Sequence, residues 1–183
     1  MRPHFALMKN SIFIYNKGGN MLADSIRNQT RQIFQNIEIL LEVIPANEFE
    51  TVKGGFITWK HFYHLIHSMD KNFIDPSNYV EPAFHKKNLN IIYLEDENKL
   101  TKSEIEIYYK NVKNKIQKYI NELNDDKIEN KIIFNGMEFT KIELILAQLR
   151  HIFYHIGYLH CCIKIEKGET PEYIGLYKAV PEK

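Results

Sequence analysis

The chain has 183 residues, of which 44% are hydrophobic and 13% aromatic, with 24 Lys+Arg against 23 Asp+Glu. That length suits one globular domain over 1–183, because chains of roughly 150 residues bury about 70% of their unfolded surface, and the aromatic content argues against disorder. A net charge of +1 supplies no broad basic field, so nucleic acid is not the expected partner.

An N-terminal arm, 1–19, comes first, and its apolar Phe5–Met8 patch is too short for a signal peptide. No apolar run approaches 18 residues, so no membrane span is expected. Apolar residues then recur at Leu22, Ile26, Ile33, Ile37, Leu40 and Ile44, which predicts an amphipathic helix with Asn20 as its N-cap and Pro45 as its stop. Gly54-Gly55 breaks the chain before a second helix over about 57–73, whose apolar stripe is Phe62, Ile66, Met69 and Phe73. Asp75-Pro76 ends it. A long connection, 74–99, follows with two prolines and a short apolar run at 90–94. Its aromatics (Tyr79, Phe84, Tyr93) favour a folded cover over a loose linker.

Thr101-x-x-Glu104 is a capping box that opens a third helix, with Ile105, Tyr108, Val112, Ile116, Tyr119 and Leu123 on one face. A strand-like Ile132–Phe134 and Asn135-Gly136 precede a second capping box, Thr140-x-x-Glu143. The fourth helix runs from there to about Ile165, with Gly168 as its stop. Four helices with apolar faces predict an all-α four-helix bundle, to which a small hairpin could be added without changing the class.

Eight histidines stand out against this background, seven of them beyond the N-terminal arm. His151 and His155 are four apart on a helix, so both rings lie on one face and can chelate a single divalent ion. A third ligand must come from elsewhere, and the second helix offers His61, His64 and His67. Three neutral imidazoles with one open position form a catalytic zinc-type site, although imidazole also suits Ni, Fe and Cu. On the fourth helix Ile145, Leu149, Ile152, Ile156 and Ile163 make the main stripe. His151 and His155 fall on a second, mostly uncharged face, so that helix is expected to be buried on two sides. The wheel of the second helix instead places His64 opposite its stripe, near Lys60, Ser68 and Lys71, a surface position unless that face lines a cavity. His61 and His67 read as surface or interface histidines that could also replace or assist His64. His160 reads as a hydrogen-bonded core histidine, and Cys161 and Cys162 as small buried hydrophobes in a reducing, cytoplasmic setting.

The stretch Gly54-Gly55-Phe56-Ile57-Thr58-Trp59-Lys60-His61-Phe62-Tyr63-His64-Leu65, with Asp70 six residues on, resembles the DinB/YfiT-like metalloenzyme family. So does Leu149-Arg150-His151-Ile152-Phe153-Tyr154-His155-Ile156-Gly157-Tyr158-Leu159. The resemblance spans about 20–165 and leaves the N-terminal arm outside it. It implies a four-helix bundle with a long connection between the second and third helices, often a homodimer, in which His64, His151 and His155 bind a divalent ion such as Zn²⁺ or Ni²⁺. Members with known activity transfer bacillithiol or mycothiol, so a low-molecular-weight thiol and a small-molecule substrate are the implied partners. Lys60, Ser68 and Lys71 depart from the apolar or aromatic residues common at their places in the family. Asp70 or a neighbouring histidine is the candidate to orient a ligand imidazole.

Two rivals belong to other classes. Arg150-x-x-x-x-His155 resembles the loose R-x4-H spacing of HEPN ribonucleases, which cleave RNA without metal, and a non-catalytic metal-binding or stress-associated bundle would retain the fold alone.

Overall fold

Helix α1 (Met21–Val43) buries Ile26, Ile33, Ile37 and Leu40 as its spacing predicts, whereas Leu22 is exposed at its first turn. In this computed structural model, which describes residues 20–94 and 98–175, the helix is not capped by Asn20. The Asp125 carboxylate, from 102 residues away, accepts from Ala23 N–H at 2.9 Å and Leu22 N–H at 3.3 Å, while the Asn20 side chain accepts from Asp125 N–H at 3.4 Å. The cap is tertiary, so no local pattern announces it. The N-terminal arm and Pro181 lie outside the described residues.

The described residues are mostly helical, and two short antiparallel hairpins accompany the helices where the expected all-α bundle allowed for one. Strands β1 (Val52–Lys53) and β2 (Phe56–Ile57) pair around Gly54-Gly55. Strands β3 (Lys131–Phe134) and β4 (Met137–Thr140) pair around Asn135-Gly136. All four turn residues have positive φ, from 51° at Asn135 to 101° at Gly55, the left-handed geometry that lets a two-residue loop follow strand twist. The apolar run 90–94 joins neither sheet. Its backbone forms turns instead, with Ile91 N–H on Asn88 O and Leu94 N–H on Ile91 O.

The first hairpin leads directly into α2 (Thr58–Asn72), where Thr58 and Trp59 donate their N–H groups back to Thr51 O and Phe49 O. Helix α3 (Lys102–Asn121) opens with the Thr101/Glu104 capping box complete in both directions. A single turn, α4 (Asp125–Ile128), presents Asp125 to α1, and α5 (Lys141–Lys167) follows β4 through the Thr140/Glu143 box. Gly168, at φ 78°, ends α5 by donating to Lys164 O. Asn36 of α1 then holds the chain beyond α5 with two hydrogen bonds to the Ile174 backbone, both 2.9 Å.

The four long helices pack in the order α1, α5, α2, α3 and back to α1 around one hydrophobic cluster. The α2 stripe Phe62, Ile66, Met69 and Phe73 is fully buried, as are Ile145, Ile152 and Ile156 of α5. What periodicity missed is that α2 is covered on nearly every side. Lys60, His61 and His67 are 0%, 2% and 3% exposed, because α5 closes one flank and the 73–101 connection another. Lys60 donates to Leu94 O there and its Nζ lies 5.9 Å from the Trp59 ring centre. Among its described residues the connection has no regular element beyond one short 3₁₀ turn, Pro76–Asn78, yet it packs closely enough to bury Leu89.

Candidate metal centre

Two helices bring the proposed triad together. His64 comes from the middle of α2, and His151 and His155 come from successive turns of α5. One ligand-capable atom from each lies within 4.8 Å of the others. Ring centres are 4.9 Å apart for His64 and His155, 5.4 Å for His64 and His151, and 4.5 Å for His151 and His155. The wheel objection to His64 is therefore removed: its face lines an interior junction with α5, and the side chain is half-buried.

The remaining ring nitrogens are assigned by their partners. A carbonyl only accepts, so His64 Nδ1 carries a proton and donates to Asn90 O at 2.7 Å, leaving Nε2 with its lone pair. His155 Nδ1 lies 2.8 Å from His61 Nε2, and when His61 accepts that proton, His155 Nε2 is likewise left as a lone-pair donor. His151 Nε2 is buried with no hydrogen-bond partner. An orphaned imidazole nitrogen beside two others is costly in a protein interior and is the condition an ion would relieve.

Electrostatics favour neutral rings. Burial pushes His155 down to about 3 and His61 down to about 4, with the neighbouring imidazoles adding to the effect. Burial also lowers His151. Neutral imidazole is the metal-binding form, so near pH 7 these groups need lose no proton before binding.

His61, which the sequence offers as a surface or interface histidine able to replace or assist His64, is buried beside His155. It sits between His155 and the first hairpin, with the Phe56 ring edge-on at 6.1 Å and the Tyr158 ring at 5.1 Å. Tyr158 in turn donates to Gly54 O, and a side chain added at Gly54 would meet Tyr158 Oη at 2.5 Å. The Gly-Gly turn therefore allows the hairpin to lie against α5 and wall the histidines. Asp70, by contrast, does not orient a ligand. It accepts from Tyr108 Oη at 3.1 Å and pairs with Lys115 at 2.7 Å, which ties α2 to α3.

Other assignments change as well. His67 is buried against Glu81 rather than lying at the surface. His160 is buried, but its Nε2 has no hydrogen bond, and the ring instead meets Tyr173 edge-on. Cys162 is buried as expected and Cys161 is exposed. Arg150 and His155 are not brought together in the structure. Five residues on a helix turn through about 140°, and Arg150 is exposed while His155 is 5% exposed among other imidazoles.

An open cleft of about 500 Å³ reaches the triad at His151 and is lined by Ser68, Ala147, Gln148, Arg150 and Tyr154. Ser68 and Gln148 join α2 to α5 across it at 3.2 Å. A larger groove of about 620 Å³ between α1 and α3 contains no histidine and has no part in this chemistry. Among the described residues, no helix is long and apolar enough to cross a membrane. Compared with known proteins, the chain matches no family model, no curated protein and no solved structure.

Proposed function

We propose that the chain is a divalent-metal-dependent enzyme, a four-helix bundle of the DinB/YfiT-like kind, in which His64, His151 and His155 hold Zn²⁺ or Ni²⁺ and a low-molecular-weight thiol is transferred to a small electrophile. The observation that carries the reading is the convergence of three imidazoles whose ligand-capable atoms lie within 4.8 Å, two with their second nitrogen in a hydrogen bond and one with a buried orphan. The ring of α1, α5, α2 and α3 supports the bundle. Three protein nitrogens leave a coordination position for substrate, as catalytic sites require.

When bound, the ion lowers the pKa of a thiol or water beside it and so supplies a nucleophile at neutral pH. The chain does the rest. Asn90 O and His61 fix the tautomers and ring planes of His64 and His155. The Phe56 and Tyr158 rings pack against His61 on the flank of the cluster away from the cleft. In the cleft, Arg150 beside His151 is placed to pair with an anionic group of the thiol or its acceptor.

Metal content after chelator-free purification tests the site. Replacing His64, His151 and His155 by alanine together should remove one bound equivalent and abolish metal-dependent loss of free thiol in the presence of an alkyl or aryl halide. Metal content unchanged by that triple replacement would overturn the assignment. RNA cleavage that needs no metal and is lost in Arg150→Ala would replace it with the ribonuclease reading.

A further inference from the structure

We infer that the chain carries a second divalent-metal site, formed by His67, Glu81 and His85, which fastens the 73–101 connection onto α2. One ligand-capable atom from each of the three lies within 4.8 Å of the others, and none belongs to the first triad. His67 Nε2 is 2.7 Å from Glu81 Oε2, and His85 Nδ1 is 3.8 Å from the same oxygen. The two imidazoles stack with centres 4.7 Å apart and planes 18° apart, so both present ring edges toward the carboxylate. Two imidazoles and one carboxylate are the donor set of a His₂Glu zinc site, and their mixed nitrogen and oxygen character suits Zn²⁺ or Co²⁺ better than Ca²⁺ or Mg²⁺.

The surroundings are those of an organised site. His67 is 3% exposed on α2. Tyr63 Oη lies 2.5 Å from His85 Nδ1 and stacks on that ring, which holds the histidine of the connection against the helix; an ion ligated through Nδ1 would replace that hydrogen bond and leave the stacking in place. Tyr79 Oη donates to Glu81 Oε2 at 3.0 Å, and Lys71 approaches the other oxygen at 3.7 Å. Lys71 is partly exposed and can swing into solvent when an ion takes up the carboxylate charge. His67 must then present Nε2 as a lone pair, with its proton on Nδ1, in place of its present hydrogen bond to Glu81. One ligand from a helix and two from a 29-residue connection make the ion a cross-link. Its binding energy would oppose opening of a segment whose described residues have almost no secondary structure of their own.

The test is designed to be independent of the first site. In the His64→Ala/His151→Ala protein, equilibrium dialysis against Zn²⁺ should still find about one tight equivalent per chain. At about 100 times the dissociation constant, melting should rise by about 5–10 °C. Adding Glu81→Gln should remove that equivalent and the shift, while the glutamine oxygen still accepts from His67, so that the melting temperature without metal stays close to its parent. A Co²⁺ absorption band lost on the same substitution would support the ligand set. If the double variant binds no Zn²⁺, or if Glu81→Gln leaves stoichiometry and shift unchanged, the cluster is a hydrogen-bonded clasp and the proposal fails. Either outcome leaves the triad to be judged by the wild type's other equivalent.

Discussion

A metal-binding imidazole uses one nitrogen for the ion and needs a fixed partner for the other, so His155 is only as well placed as His61 makes it. The 2.8 Å contact between their Nδ1 and Nε2 atoms lies in a setting that keeps both rings neutral, with His61 held down to about 4 and His155 to about 3. His61→Leu removes the acceptor and should weaken Zn²⁺ binding by about 10–100-fold. His61→Gln, which offers a carbonyl oxygen to His155 Nδ1–H, should retain affinity within a few-fold of wild type. Competition against a chromophoric chelator reads both. Equal loss in both variants would reduce His61 to a packing role. The pair His151 and His155 was legible in the sequence because i, i+4 spacing is a property of the helix alone. His61 was not, because an apolar stripe on one side of α2 implies solvent on the other only when nothing covers that other side. Here α5 and the connection both do.

Among the elements, those with local start signals matched their sequence patterns closely. The boxes Thr101/Glu104 and Thr140/Glu143 each close within four residues and mark the starts of α3 and α5. Helix α1 shows the opposite case, since its N–H groups are satisfied by Asp125 at the start of α4, and the neighbouring Asn20 only helps to hold that residue. Asp125→Ala should therefore cost about 1 kcal/mol and lower the melting temperature by about 2–4 °C, as read by far-ultraviolet circular dichroism. Asn20→Ala should cost less. The reverse order would restore the local cap that the pattern suggested. The β1–β2 hairpin escaped notice for a related reason. Gly54-Gly55 signals a turn, but two-residue strands leave no alternation to read, and their pairing becomes visible only with the Tyr158–Gly54 contact that seats them.

For the molecule as a whole, the candidate centre and the 73–101 connection form one mechanical unit. Asn90 O holds His64, Leu94 O holds Lys60, His85 stacks on Tyr63, and Leu89 is buried beneath them. An ion that requires His64 in its present orientation stabilises the closed connection by the same free energy with which the closed connection stabilises the ion. Limited trypsin digestion can read that coupling, because Lys86 and Lys87 are exposed on the connection while Lys164 and Lys167 near the end of α5 serve as an internal reference. In the Glu81→Gln protein, where His67 and His85 lack their carboxylate, saturating Zn²⁺ should slow cleavage at Lys86–Lys87 by about tenfold or more if opening limits cutting. Cleavage at the α5 sites should be unaffected. His151→Ala in the same background should abolish the protection without loosening the connection in metal-free protein, since His151 lies on α5 and its ring meets α2 at His64. Zinc-independent cleavage at Lys86–Lys87 would mean that the connection opens with His64 still in place. The Asn90 hydrogen bond would then be incidental to metal binding.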